Sequence, residues 1–249
     1  CEYITGGGYI NKKISKKLFL QAKSILKSLI VDFNKIPNLK IVYTWDYRFK
    51  KLKKKKNVEC FEIKRRPLKK WNNIIKKSDI FFPIAPETEN KLIELIKLNK
   101  FKKKMLSNEV NAIKISSSKY KTYKFLQKNS IPTLKTFNVE KNDLKNTKKW
   151  VAKPDDGAGC EKNYIFSNKK KLFNFLNLNK NFIAQPLVKG VSYSANVIPI
   201  KNKVFILNFN KQEISYEKKK IVFKGTKFIK KVPFEKKIKK NIKKIYKNL

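Results

Sequence analysis

The sequence predicts an α/β chain in three sections. A parallel sheet with flanking helices comes first, then a smaller α+β section built on a glycine-rich hairpin, then a run of strands closed by a helix. Three observations predict it. Strand-like and helix-like patterns alternate through the first section, as βαβ units do. The stretch Trp150-Val151-Ala152-Lys153-Pro154-Asp155-Asp156-Gly157-Ala158-Gly159-Cys160-Glu161 carries an apolar run into a glycine loop. Beyond it, strand patterns dominate until a lysine-rich end with helical spacing. The sections are expected over 1–107, 108–180 and 181–249.

Taken in order, Cys1 to Thr5 reads as the tail of a strand, followed by Gly6-Gly7-Gly8. Leu18, Ala22, Ile25, Leu26, Leu29, Ile30 and Phe33 recur at three and four and mark one buried face of a helix. Lys40 to Trp45 and Asn57 to Ile63 are short and apolar, as parallel strands are. A helix is expected over Leu68 to Lys77, a strand over Asp79 to Ile84 and a helix from Pro86 to Leu98. The basic runs Lys51–Lys56 and Lys102–Lys104 fall between elements and read as solvated loops. In the second section Ser116-Ser117-Ser118 offers an N-cap for a helix over Lys119 to Lys128. Leu134 to Val139 is a strand, Lys148 to Lys153 feeds the glycine loop, and Tyr164 to Phe166 returns antiparallel. Ser167 caps a helix through Leu176. Strands follow over Asn181 to Leu187, Val191 to Ile200, Lys203 to Asn210 and Ile221 to Lys224, and a helix over Phe234 to Leu249.

The charge is extreme: 62 Lys+Arg against 18 Asp+Glu, a formal net of +44. It does not read as a nucleic-acid surface. Only Arg48, Arg65 and Arg66 are arginine, the better residue for bidentate phosphate and base recognition. The lysines run along the whole chain, and Asn, Ile and Phe are abundant beside them, the joint bias of an A- and T-rich genome. The absence of histidine excludes Ser-His-Asp and Cys-His nucleophile systems and His-ligated metals. Cys1, Cys60 and Cys160 form no CxxC pair, which argues for a reducing compartment, so a cytoplasmic location is expected. No apolar run approaches membrane-spanning length. Because residue 1 is Cys rather than Met, the chain reads as a fragment or degraded gene product rather than a mature lipoprotein.

The glycine loop has two readings. Glycines let backbone amides approach a ligand, and a neighbouring lysine supplies a point charge for phosphate. Equally, such a loop serves as a hairpin turn beside a solvent lysine. What lies around it extends the first reading: Ser118-Lys119 before Ile131-Pro132, then the Lys153 loop, then Gln185-Pro186-Leu187-Val188-Lys189-Gly190. Singly, Lys119 reads as a solvent lysine and Gly190 as a hairpin glycine. In this order the three signals resemble the ATP-grasp superfamily of carboxylate–amine ligases. The resemblance implies an ATP-grasp fold with a Rossmann-like pre-ATP-grasp lobe and split α+β ATP-binding lobes. It implies ATP and Mg²⁺, and small carboxylate and amine substrates. By it Lys119 and Lys153 contact phosphate, Asp155, Asp156, Gly157, Ala158 and Gly159 form the closing loop, Gln185 and Val188 hold adenine, and Ser192 stands where a ribose-binding Glu is usual. Gln185 likewise replaces the usual Glu. Glu87 and Arg48 are candidates for substrate, beside their readings as a helix-start acid and a surface cation.

Glu2-Tyr3-Ile4-Thr5-Gly6-Gly7-Gly8, Asp46-x-Arg48, Ala85-Pro86-Glu87-Thr88, the Lys153 loop and Asn210-x-Gln212 are similar to the tyramine–glutamate ligase type, implicated in methanofuran-like C1 carriers. The similarity implies amide formation through an acyl phosphate. The family's Glu-x-Asn metal ligands have no counterpart after Gly225, so Mg²⁺ ligands are expected beyond Leu249 and the C-terminal lobe is read as truncated. No membrane or nucleic-acid partner is expected, and a homodimer is. The alternatives are another ATP-grasp ligase acting on amino acids, a biotin-dependent carboxylation partner, and a non-catalytic lysine-rich module that binds nucleic acid.

Overall fold

A computed structural model describes residues 1–101, 103–138, 147–200 and 203–249. The chain divides into two units, Cys1–Val110 and Asn111–Leu249. Val139, the expected end of a strand, and Lys102, in an expected basic loop, lie outside the described residues.

In the first unit, α1 (Lys16–Phe33) is capped by the Ser15 side chain, which accepts from the Leu18 amide at 3.2 Å. Its buried stripe is Phe19, Ala22, Leu26 and Ile30. The expected stripe had Leu18 and Ile25 pointing inward, but both are exposed. Aromatic packing decides this: Phe19 stacks on Phe49 at 3.7 Å and meets Trp45 edge-on at 5.8 Å. β1 (Ile41–Asp46) and β2 (Val58–Ile63) pair in parallel from Ile41↔Val58 to Asp46↔Ile63. Their crossover, residues 47–57, has no helix, in keeping with the loop expected at Lys51–Lys56. Leu52 and Phe49 pack from it onto the Phe19–Trp45 core, and Lys51 pairs with Glu62 at 2.8 Å.

α2 (Pro67–Lys76) opens on a proline, whose fixed φ suits a first helical position. β3 (Ile80–Phe81) pairs in parallel with β4 (Lys104–Met105), a strand that begins at the last residue of a run read as loop. The helix expected from Pro86 is broken. A 3-10 turn at Thr88–Asn90 precedes α3 (Lys91–Ile96), because Glu89 and Asn90 adopt left-handed backbone at φ 54° and 57°. At the chain start, where a strand tail was expected, Glu2 makes only an isolated parallel bridge to Ile84. Tyr3, Ile63, Trp71, Ile75, Phe81 and Leu95 form the second core of this unit.

The second unit holds α4 (Val110–Ser116), not foreseen, whose first residue lies across the unit boundary, and α5 (Lys119–Lys128), capped by Ser118 as expected. Among the described residues of the strand expected from Leu134, only Phe137 bridges, to Ala184. β5 (Trp150–Pro154) and β6 (Tyr164–Phe166) form the antiparallel hairpin. Asn168, not Ser167, caps α6 (Lys169–Leu178), its side chain accepting from the Lys171 amide at 2.9 Å. β7 (Phe182–Pro186), β8 (Ser192–Ile200), β9 (Lys203–Glu217) and β10 (Lys220–Ile229) follow, then α7 (Glu235–Asn248). β9 and β10 are much longer than expected. A bulge between Phe223 and Gly225 carries the ladder past the glycine that looked like a strand end.

The sheet order is β7-β5-β6-β10-β9-β8. Only one residue pair, Lys220↔Tyr164, joins β10 to β6, with backbone bonds from Ile165 to Lys219 and from Ile221 to Asn163. The sheet is therefore two antiparallel triplets sharing a seam, and it cannot lie flat. Six flat strands would set β7 and β8 about 24 Å apart. The six-residue step from Pro186 to Ser192 spans at most about 21 Å.

Candidate functional site

Strand pairing sorts β5 and β7 into two faces, because directly opposed residues share a face. Trp150 and Ala152, with Phe182 and Ala184, pack against Leu172 and Leu176 of α6. The other face carries Val151 and Lys153 from β5 and their partners Gln185 and Ile183 from β7. Lys153 and Gln185 therefore project from one face, two residues apart along β7. The apolar Val151 and Ile183 beside them are buried.

Lys153 is half-buried. Burial pushes its ammonium below the ordinary lysine range, and the charge of Lys119 pushes it further. The two cations share one neighbourhood. Among the described residues the Lys153 ammonium has neither a hydrogen-bond nor an ion-pair partner. Lys119 is not the solvent lysine its alternative reading required. Its Nζ donates to the carbonyls of Pro154 at 2.7 Å, Asp155 at 3.2 Å and Gly157 at 2.5 Å. Burial lowers its pKa too, with Asp155, Asp156 and Cys160 opposing.

What holds the two lysines together is Asp155. Its Oδ2 accepts from the Ser118 hydroxyl at 2.6 Å and its Oδ1 from the Tyr120 amide at 2.8 Å. Its carbonyl accepts from the Lys119 amide at 3.0 Å, and its own amide donates to the Asn181 carbonyl at 2.8 Å. Asp155 thus fastens the loop stem to the first turn of α5, where a carboxylate also suits the helix dipole. The loop proper begins at Asp156, which is exposed, as are Ala158 and Gly159. Gly159 has φ +63° with open space where a Cβ would stand, and Cys160 and Lys162 are left-handed as well.

The amide of Gln185 donates from Nε2 to the Thr136 hydroxyl at 2.7 Å. Val188 follows β7 and is 56% exposed. Gly190 is no hairpin glycine: β7 pairs with β5 and β8 with β9, so residues 187–191 connect opposite edges of the sheet order. Ser192 opens β8 opposite Gln212 and shares no ladder with Lys153 or Gln185.

Arg48 and Glu87 belong to the first unit. Arg48 is no loose surface cation. Nε and Nη2 grip the fully buried Asp46 carboxylate, Nη2 at 2.6 Å, and Nη1 and Nη2 donate to the carbonyls of Lys12 and Tyr9, both at 2.9 Å. Glu87 is exposed at the start of the 3-10 turn. Among the described residues no three acidic or thiol side chains gather where they could hold a metal ion, and no metal ligand is assigned. No described helix is long and apolar enough to cross a membrane. The sequence reading placed Asp155 in the closing loop, whereas its bonds to Ser118 and Tyr120 make it a fastening of the loop stem, and it missed Thr136 as the partner of Gln185. Only the chemistry of Thr136, a hydroxyl between Leu134 and Phe137, hinted at a buried polar contact.

A family model for the ATP-grasp domain matches residues 116–249, more than half of the chain, and one for the pre ATP-grasp 3 domain matches residues 39–113. The chain is 32% identical over 218 residues to tyramine–L-glutamate ligase of Methanocaldococcus fervens. That match covers 86% of this chain but 65% of that protein. An ATP-grasp superfamily protein from Archaeoglobus fulgidus superposes with TM-score 0.68 at 18% identity, over 100% of this chain and 70% of that one. The L-amino acid ligase from Bacillus licheniformis does so with TM-score 0.62 at 14% identity, over 88% and 56%. The two structural likenesses carry the fold alone.

Proposed function

The chain belongs to the ATP-grasp family, and from that premise we propose that its second unit binds ATP for a carboxylate–amine ligation. The triphosphate lies at Lys119 and Lys153 under the loop Asp156-Gly157-Ala158-Gly159. Adenine lies against Gln185 and Val188, and Ser192 is the candidate for the ribose.

One observation carries this reading. Two ammonium groups are held together in a desolvated place, and among the described residues Lys153 has no ion-pair or hydrogen-bond partner. Like charges there cost stability unless an anion joins them. A triphosphate supplies one, and the common face of Lys153 and Gln185, two residues apart along β7, supports phosphate and base lying side by side. Gathering positive charge at the phosphates is most of what phosphoryl transfer asks of a protein.

The chemistry runs in two displacements. A carboxylate oxygen attacks the γ-phosphorus and ADP leaves, giving an acyl phosphate. The amine nitrogen then attacks the acyl carbon, inorganic phosphate leaves, a proton is lost, and the amide remains. L-Glutamate and tyramine, named for the Methanocaldococcus relative, are the acid and amine to assay first. Glu87 stays a candidate for contact with substrate. Arg48 is assigned to holding Asp46 and the 9–12 loop.

The test is thermal. ATP at about a hundredfold over its Kd adds about 2.7 kcal/mol of stability by mass action. Lys153→Ala removes this shift. A mutant that keeps the full shift overturns the assignment.

A further inference from the structure

We infer that Thr136 sets the base specificity of the nucleotide site by locking the Gln185 amide with its oxygen outward. The inference rests on the proposal that Gln185 faces the base.

Gln185 differs from a carboxylate in one way that matters here. A carboxylate offers an acceptor whichever way it turns; an amide offers an acceptor or a donor depending on its flip. Something must therefore fix the flip if the base is to be read. Thr136 is 3% exposed and lies across from Gln185, since the adjacent Phe137 bridges Ala184. Its hydroxyl has one proton, and that proton goes to the Leu134 carbonyl at 3.1 Å. Towards Gln185 the oxygen can only accept. The group 2.7 Å away must then be the donor, Nε2. A flipped amide would set Oε1 against a hydroxyl with no proton left to give. The amide orientation is thus dictated by its hydrogen-bond network.

The consequence is chemical. Oε1 accepts no hydrogen bond from any described residue, so the free end of Gln185 is an acceptor. A 6-amino purine donates to it. A 6-oxo purine such as hypoxanthine or guanine presents a carbonyl and meets it oxygen to oxygen. The chain Leu134 carbonyl, Thr136 hydroxyl, Gln185 amide therefore selects ATP over ITP and GTP. Thr136 touches no nucleotide and acts through Gln185 as a positioning residue.

The experiment is isothermal titration of the 249-residue chain with ATP and with ITP. The wild type is expected to prefer ATP by tenfold or more, on the order of one mispaired hydrogen bond. Thr136→Val keeps the shape, removes the hydroxyl and frees the amide to turn, so the preference falls to within about threefold by tighter ITP binding. Thr136→Ser restores it. If the valine variant fails to fold, Gln185→Glu serves instead: both its oxygens accept, so the ATP preference holds at or above the wild-type ratio. A wild type that binds both nucleotides equally overturns the inference, and so does a valine variant that keeps the full preference or a glutamate variant that loses it; each leaves the phosphate site standing. A wild type that binds neither nucleotide overturns the proposed function, and this inference with it.

Discussion

Lys153 sets stability against function within one side chain. Its folded pKa is lowered by burial and by Lys119, so between that value and the ordinary 10.5 the unfolded chain holds more protons than the folded one. By linkage, stability without nucleotide rises with pH through that window. Phosphate favours the charged form, so ATP affinity falls over the same window, and titrations at rising pH are expected to show both trends. Lys153→Met, which keeps the apolar stem, is expected to raise the melting temperature of the nucleotide-free protein by about 2–4 °C, roughly 1 kcal/mol, while abolishing the ATP shift. A variant less stable than wild type would contradict this. The two lysines were legible in the sequence because each stands at an element boundary beside diagnostic neighbours. The Asp155 fastening was not. Its partners Ser118 and Tyr120 lie 37 and 35 residues away, and no local pattern records a pairing at that distance.

At the level of elements, α5 and the β5–β6 hairpin behave as one piece because Asp155 satisfies the Tyr120 amide and holds Ser118 at once. Asp155→Ala is expected to cost about 2 kcal/mol, a lost helix cap together with a lost charge-assisted bond, read by urea denaturation. Asp155→Asn, which keeps one acceptor, is expected to cost less than half as much. The hairpin was legible from its glycine loop, and α5 from its serine cap and apolar positions. The break at Glu89–Asn90 was not, since Pro86 to Leu98 reads as one continuous helix and nothing in the local pattern marks the two left-handed residues. β10 was read short because a glycine inside a strand looks like its end, whereas here Gly225 sits in a bulge at φ 156°.

Across the whole molecule, each unit has its own apolar core: Phe137, Trp150, Leu172 and Phe182 in the second, and the Trp45 and Trp71 clusters in the first. Arg48→Ala strands a fully buried Asp46 carboxylate and is expected to cost about 3 kcal/mol, with Arg48→Lys a poor rescue because the grip is forked. That loss falls on the first unit, so ATP should still shift the second by its full amount in the same melts. A net charge of +44 also repels itself, so added salt is expected to raise the melting temperature until surface charges are screened. The α/β class was legible at this scale from alternation alone. The helix-free crossover at 47–57 was legible too, from the basic run Lys51–Lys56 that reads as a solvated loop.

The seam at Tyr164 and Lys220 has a mechanical consequence. A backbone ladder resists bending in proportion to its rungs, and here one rung and its flanking bonds carry the angle between two stiff triplets. Swinging one against the other strains almost nothing else in the ladder, so the easiest large deformation of this sheet is a change in that single dihedral.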